Sequence, residues 1–387
     1  MWGSSGLAYL TGLPDGPPDF SRANVLTHAQ GVAAAVAERW GITVDAAGLL
    51  AGRAALLGLT RGGRVSAGGA TRLLVAADGW CAITLSRPDD AAAVPALVQH
   101  DDVAGDPWVA LRRWAATQPL CAVVERATLL DIPAAGLGEA AAAAPRTRPR
   151  GGRGPARDVS ELLVADLSSM WAGPLCGQLL ARAGATVVKV ESPVRPDGTR
   201  GGNRAFFDWV NGQKLSYCVD FDGQAGELRE LLGAADVVIE GSRPAALTRR
   251  RLGQDHIEPG RGRIWLRIKG YADSRPAFGD DAAVGGGLVG VAADGPVFCG
   301  DAIADPLTGL EAARVVAESL GRGGGELIEV SMAAVAAGYA ALPTQASLSD
   351  LPAPPPPVPP PGRPAARLGA DNEAVRRLVA ERGCLPC

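Results

Sequence analysis

The sequence predicts an α/β protein with a large domain built on a Rossmann-like parallel sheet and a smaller α/β domain. The first observation is that short apolar segments alternate with helical segments over the C-terminal half, which is typical of a parallel sheet. These predicted strands lie at about 161–168, 185–192, 216–221, 236–241 and 264–270. The second observation is that two runs without hydrophobic periodicity, a Pro/Gly/Arg-rich run and a Pro-rich run, divide the chain.

These runs predict four regions. Residues 1–145 form a small-domain-like segment, and 146–160 form a basic Pro/Gly linker. Residues 161–345 form the Rossmann-like domain, and 346–387 contain a Pro-rich, extended tether followed by a short helix.

Composition indicates a soluble globular enzyme and excludes several other classes. The chain has 387 residues, 47% of them hydrophobic, and a net charge of −3, which gives no electrostatic case for binding nucleic acid or an anionic membrane. No 18-residue apolar run occurs and the N-terminus lacks a basic signal region, so we predict a cytoplasmic protein without membrane contact. Seven scattered cysteines predict reduced, buried thiols, and the terminal pair Cys384 and Cys387 has no second pair or histidine nearby, so no metal site is predicted.

The segment 165–200 is the most informative part of the chain. It reads as strand, Gly-Pro turn, helix and strand, and Ala172-Gly173-Pro174 begins the helix with a proline that the first turn tolerates. The backbone N–H groups at this helix start suit an anionic ligand above the carboxyl edge of the sheet. A plain structural βαβ unit is the alternative.

This segment resembles the family III CoA-transferases, the CaiB/BaiF group. The matching residues are Asp166, Ala172, Gly173, Pro174, Gly184, Ala185, Lys189, Glu191, Pro193, Asp197 and Arg200. The similarity continues through 206–221 and 235–253. The chain departs from the family pattern at Gly241 and Ser242, and at Trp171 and Ser192 near the expected cofactor wall.

The N-terminal segment resembles a later part of the same family, so the segment order looks permuted and partly duplicated. Residues 5–18 are similar to the family's Gly-rich loop, and 72–90 and 114–137 are similar to its small domain. Ser5–Gly41 also aligns loosely with Gly286–Gly321, each being a Gly-rich loop followed by an Ala-rich helix.

By this resemblance Asp305 is the catalytic nucleophile, since Ala304 to Gly309 matches the family's D-x-x-[ST]-G signature. The alternative is that Asp305 only caps a helix, because Asp before Pro is a good helix start. In the first copy of the repeat the corresponding residue is Asn24, which cannot form an anhydride.

The resemblance also implies the residues that bind CoA, the substrate and product of the reaction; no permanently bound cofactor is expected. The expected ligands are Trp171, Ala172, Arg200, Arg249 and Lys269. Arg249 is the best phosphate ligand, because a guanidinium offers paired donors.

Three further residues are expected in the active-site loop. Gly68 and Gly69 match the small-domain glycine loop, with a simple β-turn as the alternative. Asp281 is expected as a polar partner of that loop. Lys214, by contrast, reads as a solvated surface lysine.

The implied activity is transfer of CoA from an acyl-CoA to a carboxylic acid by a homodimer, without nucleic acid or membrane partners. An α-methylacyl-CoA racemase or lyase is an alternative, although the place of its histidine motif reads Gly279-Asp280-Asp281. The third possibility is a relative of the family that binds CoA without catalysing a reaction.

Overall fold

The computed structural model describes residues 1–100, 105–241, 244–345 and 351–383. Ser242, Cys384 and Cys387 lie outside this part of the chain. The strands within it are β1 (Thr71–Ala76), β2 (Gly79–Thr84), β3 (Ala134–Gly136), β4 (Arg146–Pro149), β5 (Leu163–Asp166), β6 (Thr186–Glu191), β7 (Leu215–Cys218), β8 (Val237–Glu240), β9 (Ile264–Lys269), β10 (Val289–Ala292), β11 (Gly295–Phe298) and β12 (Glu326–Ser331).

The described strands form three sheets, which are connected by helices. They are α1 (Ala23–Trp40), α2 (Ala46–Leu57), α3 (Pro88–Ala92), α4 (Val94–Val98), α5 (Pro107–Ala115), α6 (Leu120–Leu129), α7 (Ala172–Arg182), α8 (Arg204–Asn211), α9 (Ala225–Ala234), α10 (Pro244–Thr248), α11 (Gly279–Gly285), α12 (Ala304–Gly321), α13 (Met332–Ala340) and α14 (Asn372–Gly383).

The large sheet has seven strands in the order β4-β12-β9-β8-β5-β6-β7, and all of them are parallel except the edge strand β4. The five strands predicted from sequence are confirmed as β5 to β9. The order reverses at β5, which has β8 on one side and β6 on the other, and ligands bind above such a reversal in open α/β sheets.

The predicted linker 146–160 is partly wrong, because its first four residues form β4. Arg146–Pro149 pair antiparallel with β12, and the alternating polar side chains of this edge strand are exposed. An edge strand needs no continuous apolar run, which is why Arg-Thr-Arg-Pro gave no strand signal.

Two apolar cores lie on opposite faces of the large sheet, as in a doubly wound fold. Val164 and Val237 face the core that contains α7, α12 and α13. Leu163 and Val238 face the core that contains α9 and α14. Neighbouring residues of one strand therefore enter different cores, and this explains the continuous apolar runs of the strands.

The N-terminal segment 1–145 does not form one body. Residues 1–57, including α1 and α2, pack into the same core as α12 and the large sheet. The second part contains the three-stranded antiparallel sheet β1-β2-β3 with α4, α5 and α6 around a separate small core. The apolar faces of α1 and α2 find their partner on α12, so the smaller α/β unit begins only after them.

The Pro-rich run forms no helix or strand in its described residues, and it lies against the N-terminal segment. A side chain at Gly6 would overlap Pro356, and one at Gly3 would approach the Pro352 carbonyl oxygen at 2.8 Å. The helix predicted after it is α14.

The cysteine prediction holds for Cys81, Cys176 and Cys299, which are buried and free, whereas Cys121 is exposed. Within the described ranges, no helix is long and apolar enough to cross a membrane.

Candidate active site

The Asp305 side chain lies where three helices begin. Asp305 is in the first turn of α12, and the backbone N–H of Gly279, the first residue of α11, donates to its Oδ2 at 3.1 Å. The backbone amide of Ala172, the first residue of α7, is a further hydrogen-bond donor to the same carboxylate. The positive ends of helices stabilise a negative charge, so this junction favours an anion.

The capping alternative for Asp305 is wrong. The residue that caps α12 is Ile303, and the Asp305 carboxylate accepts a hydrogen bond from another helix rather than from its own first turn. The protein therefore uses this carboxylate to join α11 to α12.

Burial raises the pKa of Asp305 to about 7, because the charged form loses water. The positive charge of Arg53 and the two backbone amides oppose this shift, whereas the nearby carboxylate of Asp280 adds to it. A carboxylate with a pKa near 7 is partly ionised at neutral pH.

Two more aspartates accompany Asp305, the half-buried Asp280 and the buried Asp301. Asp280, on α11, accepts the backbone N–H of Ala302 at 2.9 Å, and burial together with Asp301 raises its pKa to about 6. Asp301 is fully buried, and burial raises its pKa as well. The charge of Asp301 acts on Asp280, and that of Asp280 acts on Asp305, so the three carboxyl groups form one cluster.

Close backbone approach accounts for two glycines of this region. A Cβ atom on Gly279 would lie 2.2 Å from the Ala302 carbonyl oxygen and 2.5 Å from Asp305 Oδ2. A Cβ atom on Gly309 would lie 2.6 Å from the Ala172 carbonyl oxygen. Glycine is thus required for α7, α11 and α12 to come together around Asp305.

Arg53, on α2, supplies positive charge to the three carboxylates. Its Nη1 lies 2.5 Å from Asp301 Oδ1, and its guanidinium lies 5.8 Å from the ring centroids of both Trp171 and Phe206. Those rings meet edge to face at 5.5 Å. An aromatic wall and an ion pair therefore hold the guanidinium in place.

The predicted glycine loop, which contains Gly68 and Gly69, lies next to Arg53. A Cβ atom on Gly68 would lie 3.4 Å from Arg53 Nη2, and Ser66 hydrogen-bonds to Asp280. The backbone N–H of Gly69, whose φ is 81°, donates to the Ser66 carbonyl oxygen at 2.8 Å. The β-turn alternative is therefore also right, and the turn lies beside Arg53.

Asp281 is buried next to this cluster. Its Oδ1 accepts the Phe278 N–H at 2.9 Å and the Thr84 hydroxyl at 3.0 Å, and these bonds join α11 to β2 of the small sheet. Burial raises the pKa of Asp281 to about 8, so the side chain is largely protonated at neutral pH.

Four buried polar atoms around the cluster have no hydrogen-bond partner among the described residues. They are Trp171 Nε1, Thr308 Oγ1, Asp281 Oδ2 and Asp301 Oδ2. Buried polar groups are normally paired, so these atoms are available to a bound molecule.

Trp171 and Ala172 are at the site, whereas Arg200, Arg249 and Lys269 are not in contact with Asp305. Arg200 forms an ion pair with Glu191, donates to the Ala366 carbonyl oxygen at 2.9 Å and stacks over Phe207. The exposed Arg249 has no hydrogen bond or ion pair with the described residues. Lys269, at the carboxyl end of β9, donates to the Ala272 carbonyl oxygen at 2.6 Å.

The prediction that Lys214 is a solvated surface lysine is wrong. Lys214 is 5% exposed and its Nζ lies 2.8 Å from Asp166 Oδ2, below the start of α7. Lys189 is likewise buried, with its Nζ 2.7 Å from Asp197 Oδ2. Both lysines neutralise buried carboxylates and have no free charge to offer a phosphate.

Sequence reasoning missed Arg53 and Asp301 as site residues. Arg53 had one available signal: it is a single charged residue within Leu49–Leu57, an otherwise apolar stretch, where an arginine needs a buried partner. Asp301 gave no comparable signal, whereas Asp280 stands at the place of the racemase motif.

The residues 159–357 match the family model of CoA-transferase family III. The chain is 27% identical over 200 residues to a succinyl-CoA–D-citramalate CoA-transferase of Chloroflexus aurantiacus, which covers 46% of this chain and 50% of the relative. It is 33% identical to an acyl-CoA transferase of Fusarium pseudograminearum, covering 38% of each chain.

Among solved structures, a CaiB/BaiF family protein from Brucella suis aligns with a TM-score of 0.42 and 28% identity, covering 49% of this chain and 56% of that one. The chain spans about half the length of the curated relatives it matches. The family match covers the large sheet from β5 to β12 and all three helix starts around Asp305. The chain therefore belongs to CoA-transferase family III.

Proposed function

We propose that the protein transfers CoA from an acyl-CoA thioester to a carboxylic acid, with Asp305 as the covalent acceptor. The observation that carries this proposal is the buried Asp305 carboxylate, which lies at three helix starts inside the region that matches the family. Its pKa of about 7 supports the role, because a partly ionised carboxylate in a dry site is a better nucleophile than a solvated one.

In the proposed reaction an ionised Asp305 oxygen attacks the thioester carbon. The C–S bond breaks, CoA leaves as the thiolate, and a mixed anhydride remains. The thiolate then attacks the aspartyl carbonyl, which releases the first acid and gives an enzyme–CoA thioester. The acceptor acid takes CoA by the reverse steps. The amides of Gly279 and Ala172 are suited to stabilising the oxyanion that develops on the aspartyl carbonyl.

For CoA itself we propose contacts with Trp171 and Ala172 at the site, and with Arg249 and Lys269 at the edge of the sheet. The free guanidinium of Arg249 supports a phosphate contact, and Arg200 would have to exchange a protein partner to make one. The homodimer, which the family resemblance implies, and the cytoplasmic location, which the sequence pattern implies, stay predictions.

The test is Asp305→Asn, which keeps the size of the side chain and cannot form the anhydride. With a panel of acyl-CoAs and acids, we expect transfer to fall at least about a thousandfold, or about 4 kcal/mol, while CoA still binds by calorimetry. Hydroxylamine added during turnover should modify a wild-type peptide that contains Asp305. The matched control is Asp294→Asn, an exposed aspartate paired with Arg64, which should keep full activity.

Full transfer by Asp305→Asn, or label on another carboxylate, would overturn the assignment. Exchange of the Cα proton in deuterated water without transfer would indicate the racemase alternative, in which Asp280, with its raised pKa, is the candidate base. CoA binding without either reaction would indicate the non-catalytic alternative.

A further inference from the structure

Arg53 comes from the N-terminal segment, which lies outside the region matched by the family model. It is on α2, in the run Ala46–Leu57, and its neighbours Leu49, Leu50 and Ala54 are buried in the core. An arginine in such a helix loses water that only a specific partner can replace.

The partners of Arg53 are the carboxylates of the candidate site. Nη1 lies 2.5 Å from Asp301 Oδ1, and the exposed fraction of the side chain is 23% for Arg53 and 0% for Asp301. Burial alone would lower the pKa of Arg53, and the charges of Asp301, Asp280 and Asp305 together raise it above its ordinary value. The guanidinium thus stays charged in contact with Asp301 and within the electrostatic influence of Asp280 and Asp305.

The charges around Asp305 are unevenly distributed. On α11 it faces the like charge of Asp280, and Asp301 precedes it on its own strand-to-helix loop. On α7, every residue of which is described, it faces a backbone amide and no charged side chain. Arg53, on α2, is the cation that lowers the pKa of Asp280, Asp301 and Asp305 alike.

We propose that Arg53 is a positioning residue for Asp305: the N-terminal segment supplies it so that the nucleophile stays ionised among buried carboxylates. The proposal rests on the proposed function in one respect, the identification of Asp305 as the nucleophile. The electrostatic effect of Arg53 on Asp305 can be measured without catalysis. The N-terminal segment would thus contribute a residue to the site, although Arg53 precedes Asp305 by 252 positions in the sequence.

The first experiment measures the ionisation of Asp305 directly. Protein labelled with carboxyl-13C aspartate is titrated from pH 5 to pH 9, and the Asp305 resonance is assigned by its absence in Asp305→Asn. In Arg53→Met we expect the titration midpoint to rise by about one unit or more, because the opposite charge is lost. Arg53→Lys keeps the charge and should titrate close to the wild type. The control is Arg39→Met, an exposed arginine of α1 whose partner is the carbonyl oxygen of Ala35 in its own helix.

Arg53→Met leaves Asp301 buried without its partner, so the fold itself could suffer. The double variant Arg53→Met/Asp301→Asn removes both members of the pair and leaves no orphaned charge. It should fold and still show the raised Asp305 midpoint. An unchanged midpoint in either folded variant would overturn the proposal.

The second experiment measures acylation of Asp305 by acyl-CoA as a function of pH. Because only the ionised carboxylate reacts, Arg53→Met should lose reactivity at pH 7 and recover it at higher pH, whereas Arg53→Lys should keep most of the reactivity at pH 7. If the wild type is never acylated while the 13C midpoint still shifts, the proposed function fails and the role of Arg53 survives. If acylation occurs with the same pH profile in Arg53→Met, the role of Arg53 fails and the function survives.

Discussion

The two copies of the internal repeat contain helices of equal length, but the starts of these two helices differ in burial. Helices α1 and α12 each span 18 residues, each follows a Gly-rich segment, and they pack against each other. Asn24 and Asp305 are each the second residue of their helix. The start of α12 is buried by two other helix starts, whereas the start of α1 opens toward the surface.

Asn24, which corresponds to Asp305 in the first copy, has different contacts from Asp305. Its Nδ2 donates to the Pro343 carbonyl oxygen at 2.7 Å, and its Oδ1 accepts from Gln345 at 2.9 Å. Its side chain is half-buried and is used to fix the chain after α13. The comparison teaches that the Gly-rich loop and Ala-rich helix are a scaffold, and that the chemistry depends on what packs around the second residue of the helix.

The largest expected effect comes from moving the carboxylate between the copies. In Asp305→Asn/Asn24→Asp the total number of aspartates is unchanged, and we expect transfer to stay at least about a thousandfold below the wild type. The new carboxylate at position 24 would be half-buried and would face the Pro343 carbonyl oxygen without helix amides from other elements, so it should remain a weak nucleophile. Peptide mapping after turnover with hydroxylamine should find no label on residue 24. Recovery of activity in the double variant would mean that the two sites are equivalent.

The sheet could be predicted from the sequence because its signal is local. Strands β5 to β9 are short apolar runs bounded by turns, and both faces of each strand are buried, so neither partner nor register had to be known. The edge strand β4 was missed because it has no such local signal: its partners on β12 lie 177 to 183 positions later, and none of its side chains is buried.

The site could be predicted only where the family motif named a residue. Asp305 and Ala172 belong to family motifs, and the Ala172 amide donates to Asp305, but Arg53 meets Asp301 across 248 residues, and no periodicity encodes how α2 packs on α12. Lys214 was misjudged because its partner Asp166 lies 48 residues earlier, on β5, and the sequence does not show that both are buried. Ion pairs of this kind are set by tertiary packing.

The buried carboxylate at the start of α12 should also make the stability of the protein depend on pH. The pKa of Asp305 is raised by burial to about 7 in the folded protein, so the folded state holds this proton more tightly than the unfolded state does. The contribution of Asp305 to the free energy of unfolding should therefore fall as pH rises from about 4 to about 7, and then level off.

Asp305→Asn removes this contribution, and urea unfolding should show that the variant loses less stability over that range than the wild type does. The difference should reach at most a few kcal/mol, at about 1.4 kcal/mol for each unit of pKa shift. Asp280 and Asp281 shift in the same direction, so some pH dependence should remain. Asp294→Asn should follow the wild-type curve, and identical slopes for Asp305→Asn and the wild type would contradict the burial of this charge.

The smallest effects should come from the glycines inside the two helices, and they should have opposite signs. Gly309 of α12 has the Ala172 carbonyl oxygen 2.6 Å and Leu175 Cδ2 2.9 Å from the position of an added Cβ, so Gly309→Ala must push α7 away. We expect a loss of about 1 to 3 kcal/mol in the free energy of unfolding, together with lower transfer activity, because α7 brings Ala172 to Asp305.

Gly31 of α1 is exposed, with no atom within 4 Å of an added Cβ. Alanine is the better helix former there, so Gly31→Ala should stabilise the protein by about 0.5 to 1 kcal/mol and leave activity unchanged. Both values follow from urea unfolding of the full chain. A stabilising Gly309→Ala would mean that α7 and α12 are not in close contact in solution, and the amide of Ala172 would then be too far from Asp305 to hold its charge.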